Sequence, residues 1–216
     1  SETATVITLI LVALGANTYF IFNYQYDLPH LYLFTINVAA FYHLMRFVKE
    51  ERYKSFWFFA LLFGLAVCIR PTQLIFGLIP FLLLLKEFGK TRKFVRHMLT
   101  LGGAVIFCNI PQLLYWKLVG GEWVILNLHT EDIVLSDPNL YDFLFSYRKG
   151  WLLYSPLFLI LPFGFWLMYK RNRTLFWAIL SFTFIYTYVM SAWECWWYAA
   201  SYSSRVMIDA YPLFAI

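Results

Sequence analysis

The feature that most constrains this chain is a run of thirty nearly apolar residues, Phe56 to Leu85, interrupted only by Arg70, Pro71, Thr72 and Gln73. Basic loops flank it on both sides. Arg46, Lys49, Arg52 and Lys54 precede it, mixed with Glu50 and Glu51, and Lys86, Lys90, Arg92, Lys93 and Arg96 follow. Cytoplasmic loops of membrane proteins collect Lys and Arg. A single helix through the run would place the two basic loops on opposite sides of the membrane, whereas a hairpin turning at Arg70-Pro71 returns both to the cytoplasm. A hairpin is therefore expected, with arms over 56–69 and 73–85. Arms of roughly 14 residues reach only ~21 Å at 1.5 Å per residue, less than a ~30 Å hydrocarbon core. Arg70 is thus expected below the outer surface, inside the protein.

Composition agrees with a membrane class. Hydrophobic residues make up 62% of the chain and charged residues only 13%, where soluble domains carry roughly a quarter charged. The expected fold is an all-α, polytopic transmembrane bundle forming one domain over 1–216. It would have about eight spans: 5–22, 31–48, 56–69, 73–85, 98–116, 151–169, 174–192 and a truncated 206–216. The chain begins at Ser1, and its last apolar run reaches eleven residues against the roughly 20 a span needs. A fragment lacking both ends is therefore expected. No charged n-region with a small-residue cleavage site precedes Thr3 to Phe22, which reads as a span rather than a signal peptide. Three scattered cysteines offer neither a disulfide framework nor a metal cluster. In the outer loop 117–150, Asp137-Pro138 has the form of an N-cap followed by proline at the first helical position. Leu140, Phe143, Leu144 and Tyr147 then repeat at helical spacing, which predicts a short interfacial helix.

Twelve of the seventeen basic residues fall in three inner loops, the third carrying Lys170, Arg171 and Arg173. Arg70, Lys117, Arg148, Lys149 and Arg205 remain outside. The outer face collects Asp27, His30, Glu122, His129, Glu131, Asp132, Asp137, Asp142 and Glu194. It also holds the stretch Trp193 to Pro212, WECWWYAASYSSRVMIDAYP, whose three tryptophans and three tyrosines stand beside Glu194, Arg205 and Asp209. Amphipathic rings of this kind prefer the membrane–water boundary. The stretch reads either as an aromatic belt with a snorkelling arginine or as half of an active site.

Four segments carry a family resemblance. They are the polar turn ending in Pro29-His30 after a span containing Gly15 and Asn17, the Ile69-Arg70-Pro71-Thr72 turn, FLFSYRKGWLLYSP from Phe143 to Pro156, and the Trp193 to Pro212 stretch. In this order they resemble the transmembrane part of a GT-C superfamily glycosyltransferase, similar to bacterial protein O-mannosyltransferase-like and aminoarabinose transferase-like enzymes. The resemblance implies transfer of a sugar from a polyprenyl-phosphate donor to a protein, glycolipid or polysaccharide acceptor. The reaction would run on the extracytoplasmic face of the bacterial inner membrane, with no nucleic-acid partner. It also implies an acidic general base in a first outer loop upstream of Ser1, outside this sequence. The chain departs from the family where relatives carry WWxGGSFGxR: Ala199, Ala200 and Ser203 stand in the glycine positions.

Transfer from a lipid phosphate leaves negative charge that the enzyme must meet with cations. Arginine presents a fork that fits phosphate oxygens, so Arg205 and Arg70 are the leading pair, with His30 as a further donor. Arg148 and Lys149 begin a span and either anchor it or meet an anionic headgroup. Asp209 lies four residues after Arg205, and on an α-helix the two would form a structural ion pair. Glu194, Glu131 and Asp132 are candidates for acceptor hydroxyls or a divalent cation, although no metal-ligand spacing is visible. Trp193, Trp196, Trp197 and Tyr202 are candidates for stacking on a sugar. His43 reads as structural. The alternatives are a transporter or flippase of lipid-linked sugars, which would show repeated halves and midplane charges, and a structural membrane subunit. No internal repeat is visible.

Overall fold

A computed structural model describes residues 2–25, 28–124, 133–199 and 201–215. The helices are α1 (Glu2–Leu14), α2 (Thr18–Tyr24), α3 (His30–Glu50), α4 (Tyr53–Ile69), α5 (Leu78–Phe88), α6 (Arg92–Tyr115), α7 (Leu140–Phe145), α8 (Trp151–Tyr154), α9 (Leu161–Arg171), α10 (Arg173–Ser191) and α11 (Tyr211–Phe214). Tighter 3-10 turns occupy Pro71–Gly77, Pro156–Ile160 and Arg205–Ala210. The chain divides into two units, Thr35–Thr130 and Ser1–Phe34 with Glu131–Ile216.

In the Thr35–Thr130 unit, α4 ends at Arg70, whose extended backbone (φ −151°, ψ 111°) breaks the helix before the 3-10 turn opening on Pro71. Proline at that position disfavours helix for the residue before it. The chain then folds back. Phe63 meets Phe76 (6.5 Å between centroids) beside the turn, and at the far end Phe47 meets Phe56 (4.8 Å) and Phe88 (6.2 Å). The hairpin at Arg70-Pro71 is therefore present, and the two basic loops lie at one end of the unit. His97 is buried at that end, 4.6 Å from Phe56 and 5.1 Å from Phe88 by ring centroid. Its Nδ1 donates to the Lys93 carbonyl at 2.6 Å. Helix α4 packs on α6 through Gly64, where an added Cβ would lie 2.6 Å from the Ala104 carbonyl oxygen. Buried Asn37 donates to Gln73 (3.1 Å), and Cys68 and Cys108 carry free thiols.

In the other unit, α1 and α2 meet at a 57° bend over Gly15, Ala16 and Asn17. A side chain at Gly15 would lie 2.7 Å from the Leu11 carbonyl oxygen, so the bend needs glycine there. Helices α9 and α10 are joined through Asn172, whose Oδ1 accepts from the Leu175 amide (3.1 Å) and caps α10 in the manner that favours Asn before a helix. The segment 133–139 crosses the far end of α10. Val134 N donates to Ala192 O (2.7 Å), Asn139 N to Ser191 O (2.9 Å), and Ile133 pairs with Trp193 as an isolated antiparallel bridge. The short helix expected after Asp137-Pro138 exists, but it starts at Leu140 with Asn139 as N-cap and without a side-chain cap bond. It buries Phe143 completely, whereas Tyr141 and Tyr147 are exposed.

The eight expected spans need correction. Among the described residues four helical segments could cross a membrane by length and composition, His30–Glu50, Pro71–Phe88, Arg92–Gly120 and Arg173–Ser191, or up to five if the bent α1–α2 pair is one span. Helix α4, with 17 residues, is a shorter apolar helix. The expected spans 151–169 and 206–216 are not continuous. The first breaks at Ser155 and the 3-10 turn behind Pro156, and the second is a 3-10 turn followed by four helical residues around Pro212. Apolar content marked both segments, but prolines in each remove the amide donors a long helix requires.

Candidate functional site

Within the Ser1–Phe34 and Glu131–Ile216 unit, three cations gather on the aromatic loop that follows α10. The turn Ser146 to Gly150 presents two of them. Gly150 N donates back to Ser146 O (2.7 Å) and Arg148 N to Ser146 Oγ (3.1 Å). An added Cβ at Gly150 would lie 2.5 Å from the Ser146 amide nitrogen and 2.7 Å from the Phe145 carbonyl carbon, so only glycine allows this closure. Arg148 lies over the Trp197 ring, 3.7 Å from its centroid, a cation–π contact. Lys149 Nζ donates to the Ala199 carbonyl, and Ser204 Oγ lies 3.3 Å from the Lys149 carbonyl oxygen. Arg205 lies 5.9 Å from the Tyr198 centroid. Burial, then the charges of Arg205 and Arg148, hold the Lys149 ammonium below its ordinary value of 10.5.

The loop backbone is unusual. Tyr198, Ala199 and Ser203 adopt positive φ (53°, 46° and 59°), a left-handed conformation that costs non-glycine residues roughly 1–2 kcal/mol each. Ala199 and Ser203 are two of the three positions where the resembled family carries glycine. Ala200, the third, lies outside the described residues. The strain is held by packing. Tyr198 is buried, lies tilted against Trp193 (4.8 Å between ring centroids) and donates to Met190 O (2.9 Å).

Arg205 opens the 3-10 turn Arg205–Ala210, and this turn undoes the expected pairing with Asp209. With 3.0 residues per turn, positions four apart stand a third of a turn away from each other instead of on one face. Among the described residues the ion pair of Asp209 is with His30, Nδ1 to Oδ1 at 2.9 Å, and Tyr186 OH donates to Asp209 Oδ2 (3.1 Å). A carboxylate can only accept, so Nδ1 is the protonated nitrogen of the pair. His30, Tyr186 and Asp209 are all buried. His30 thus works as an internal partner of Asp209 and ties the start of α3 to the turn that carries Arg205.

A second buried network holds the other side of the loop. Tyr211 OH donates to Asn17 Oδ1 (2.6 Å) and receives Trp151 Nε1 (3.1 Å), while Asn17 Nδ2 reaches the Tyr202 carbonyl (3.4 Å). The remaining sequence candidates divide. Tyr202 is 40% exposed, with its ring against Phe20 and Tyr154. Trp196 is buried, and Trp197 stands edge-on to it with one face under Arg148. Trp193 is half-buried and Glu194 exposed. Arg70 belongs to the Thr35–Thr130 unit and is half-exposed there, its carbonyl accepting from Gln73 N (2.9 Å). Asp27, His129, Glu131 and Asp132 lie outside the described residues. Among the described residues no group of three or more His, Cys, Asp or Glu could hold a metal ion.

Sequence reasoning missed Tyr186, which carries no signal in a chain of sixteen tyrosines, and noted Tyr211 only among the aromatics of the Trp193 to Pro212 stretch. It noted Asn17 only as part of a motif, although an amide inside an apolar run is costly in lipid and marks an internal partner. Comparison with family models, with curated proteins and with solved structures finds no match to this chain.

Proposed function

We propose that this chain is the membrane-embedded part of a GT-C-type glycosyltransferase that moves a sugar from a polyprenyl-phosphate donor to an acceptor on the extracytoplasmic face of the plasma membrane. The observation that carries this reading is the coincidence of three cations with a left-handed loop backbone at Ala199 and Ser203. These are positions where the resembled family uses glycine to let backbone approach the donor. In this mechanism Arg205, Arg148 and Lys149 receive the lipid phosphate, and their charge counts most as the sugar–phosphate bond breaks and negative charge grows on the leaving oxygen. The planar fork of Arg205 orients the phosphate. The exposed ring of Tyr202 is available to the apolar face of the sugar. The His30–Asp209–Tyr186 cluster keeps the Arg205 turn in place while bond breaking proceeds.

The test is transfer from a polyprenyl-phosphate sugar in membranes holding equal amounts of each variant. Arg205→Ala is expected to lower turnover by about 10²–10³-fold, the range seen when a group stabilising developing charge is removed. Arg205→Lys should recover little, since a point charge replaces a two-pronged donor. Near-normal turnover in Arg205→Ala would sink the reading.

A further inference from the structure

In the Thr35–Thr130 unit, α6 begins in an open groove of about 600 Å³ lined by the cations Lys90, Arg92 and Arg96 and by the apolar Val95 and Leu99. The two basic loops of this unit differ in how their charge is met. In the first, Glu50 takes both Arg46 (3.0 Å) and Arg52 (3.8 Å). In the second, no ion pair to Lys90, Arg92 or Arg96 occurs among the described residues, and Glu87 is the single acid between Lys86 and Arg96. The positive-inside tendency accounts for cations at this level but not for a groove that collects them uncompensated.

The apolar wall of the groove continues along α6. Val95 (52% exposed) and Leu99 (71%) are followed by the open glycines Gly102 and Gly103, then Ile106 (64%) and Ile110 (42%). Steps of three and four residues keep these positions on one helical face. Only 11% of the most apolar window of this segment is buried within the protein. The cap residue Thr91 makes no side-chain bond to the first turn, so its amides add their partial positive charge to the same groove. Cations above an exposed apolar stripe of about 22 Å at 1.5 Å per residue, longer than one leaflet of a ~30 Å hydrocarbon core, match one amphiphile, with an anionic head and hydrocarbon tails.

We propose that this groove seats the headgroup of an anionic phospholipid from the leaflet at the basic end of the unit, with an acyl chain along the Val95 to Ile110 stripe. The inference does not depend on the transfer reaction and survives if that reading fails. Phosphatidylglycerol or phosphatidylcholine is titrated into the detergent-solubilised full chain, and apparent affinity is read by native mass spectrometry. Phosphatidylglycerol should bind at least about tenfold more tightly. The combined variant Lys90→Gln, Arg92→Gln, Arg96→Gln should lose that preference. Lys90→Gln or Arg96→Gln alone should weaken phosphatidylglycerol about fivefold, the effect of one cation near an anionic surface. These single variants keep the test open if the triple change disturbs folding. The control Arg46→Gln, Arg52→Gln should keep the full preference. Equal binding of the two lipids to the unaltered chain, or equal loss in the control and the triple variant, would overturn the proposal. Displacement of phosphatidylglycerol by equimolar inorganic phosphate would also overturn it, since the groove would then be a site for free anions.

Discussion

His30 Nδ1 and Asp209 Oδ1 stand 2.9 Å apart in the protein interior although 179 residues separate them in the chain. This contact connects the first turn of α3 to the 3-10 turn that presents Arg205. A buried carboxylate that loses a donor is left with an uncompensated charge, and one that is itself removed strands the donors around it. Asp209→Ala is therefore expected to cost about 2–4 kcal/mol. In double-mutant cycles measured by denaturation in detergent, His30 and Asp209 should couple by about 1 kcal/mol or more, and Arg205 and Asp209 by less than about 0.5 kcal/mol. A stronger Arg205–Asp209 coupling would contradict the geometry.

The aromatic loop should gain stability from the glycines it lacks. At φ 46° and 59° a Cβ is unfavourable, so Ala199→Gly and Ser203→Gly should each stabilise by roughly 0.5–1 kcal/mol after the entropic cost of glycine. Ser203 also buries a hydroxyl oxygen without a hydrogen-bond partner, which its removal relieves. Ala192, at φ −82°, gives the opposite sign: Ala192→Gly should destabilise by about 0.5–1 kcal/mol. Shifts in thermal midpoint check all three.

Two kinds of glycine in one helix pair should respond oppositely to alanine. Gly64→Ala places a methyl 2.6 Å from the Ala104 carbonyl oxygen and 2.9 Å from Cys108 Sγ, which forces α4 and α6 apart at a cost of about 1–3 kcal/mol. Gly102 has nothing within 4 Å, so Gly102→Ala should stabilise α6 by up to about 1 kcal/mol. Equal effects of the two substitutions would argue against close α4–α6 packing.

Lys149 predicts a pH dependence. Its folded pKa lies below its ordinary 10.5, so between the two values the unfolded chain binds more protons than the folded one, and stability rises with pH through that window. Below the lowered value both states are protonated and the slope vanishes. Lys149→Gln should remove this rise. Denaturation midpoints of the two proteins, compared from neutral pH up to 10.5, would show parallel curves if Lys149 were unperturbed.

Sidedness follows from charge. Single cysteines replacing Lys90 and Arg171 should label only from the cytoplasmic side, and one replacing exposed Glu194 only from outside. Labelling of position 90 from outside would reverse the orientation assigned to the hairpin.

The sequence by itself determined the all-helical class, the presence of helices apolar enough to cross a membrane and the hairpin at Arg70-Pro71. Each of these follows from quantities that add over many residues, namely apolar content, the charge of whole loops and the backbone limits of proline. Tertiary structure decided the rest. It broke the apolar segments 151–169 and 206–216, where a proline's missing amide outweighs apolar content. It moved Asp209 from Arg205 to His30, because a 3-10 turn rotates residues four apart off a common face. It buried Trp196 and covered one face of Trp197 with Arg148 while leaving Tyr202 open, although all three read alike in a row of aromatics. It also drew Arg148 and Lys149 to Arg205 across some fifty residues of chain, through a turn that only Gly150 can close. Partner choice at single contacts depends on the path of the backbone between them, and local composition does not encode that path.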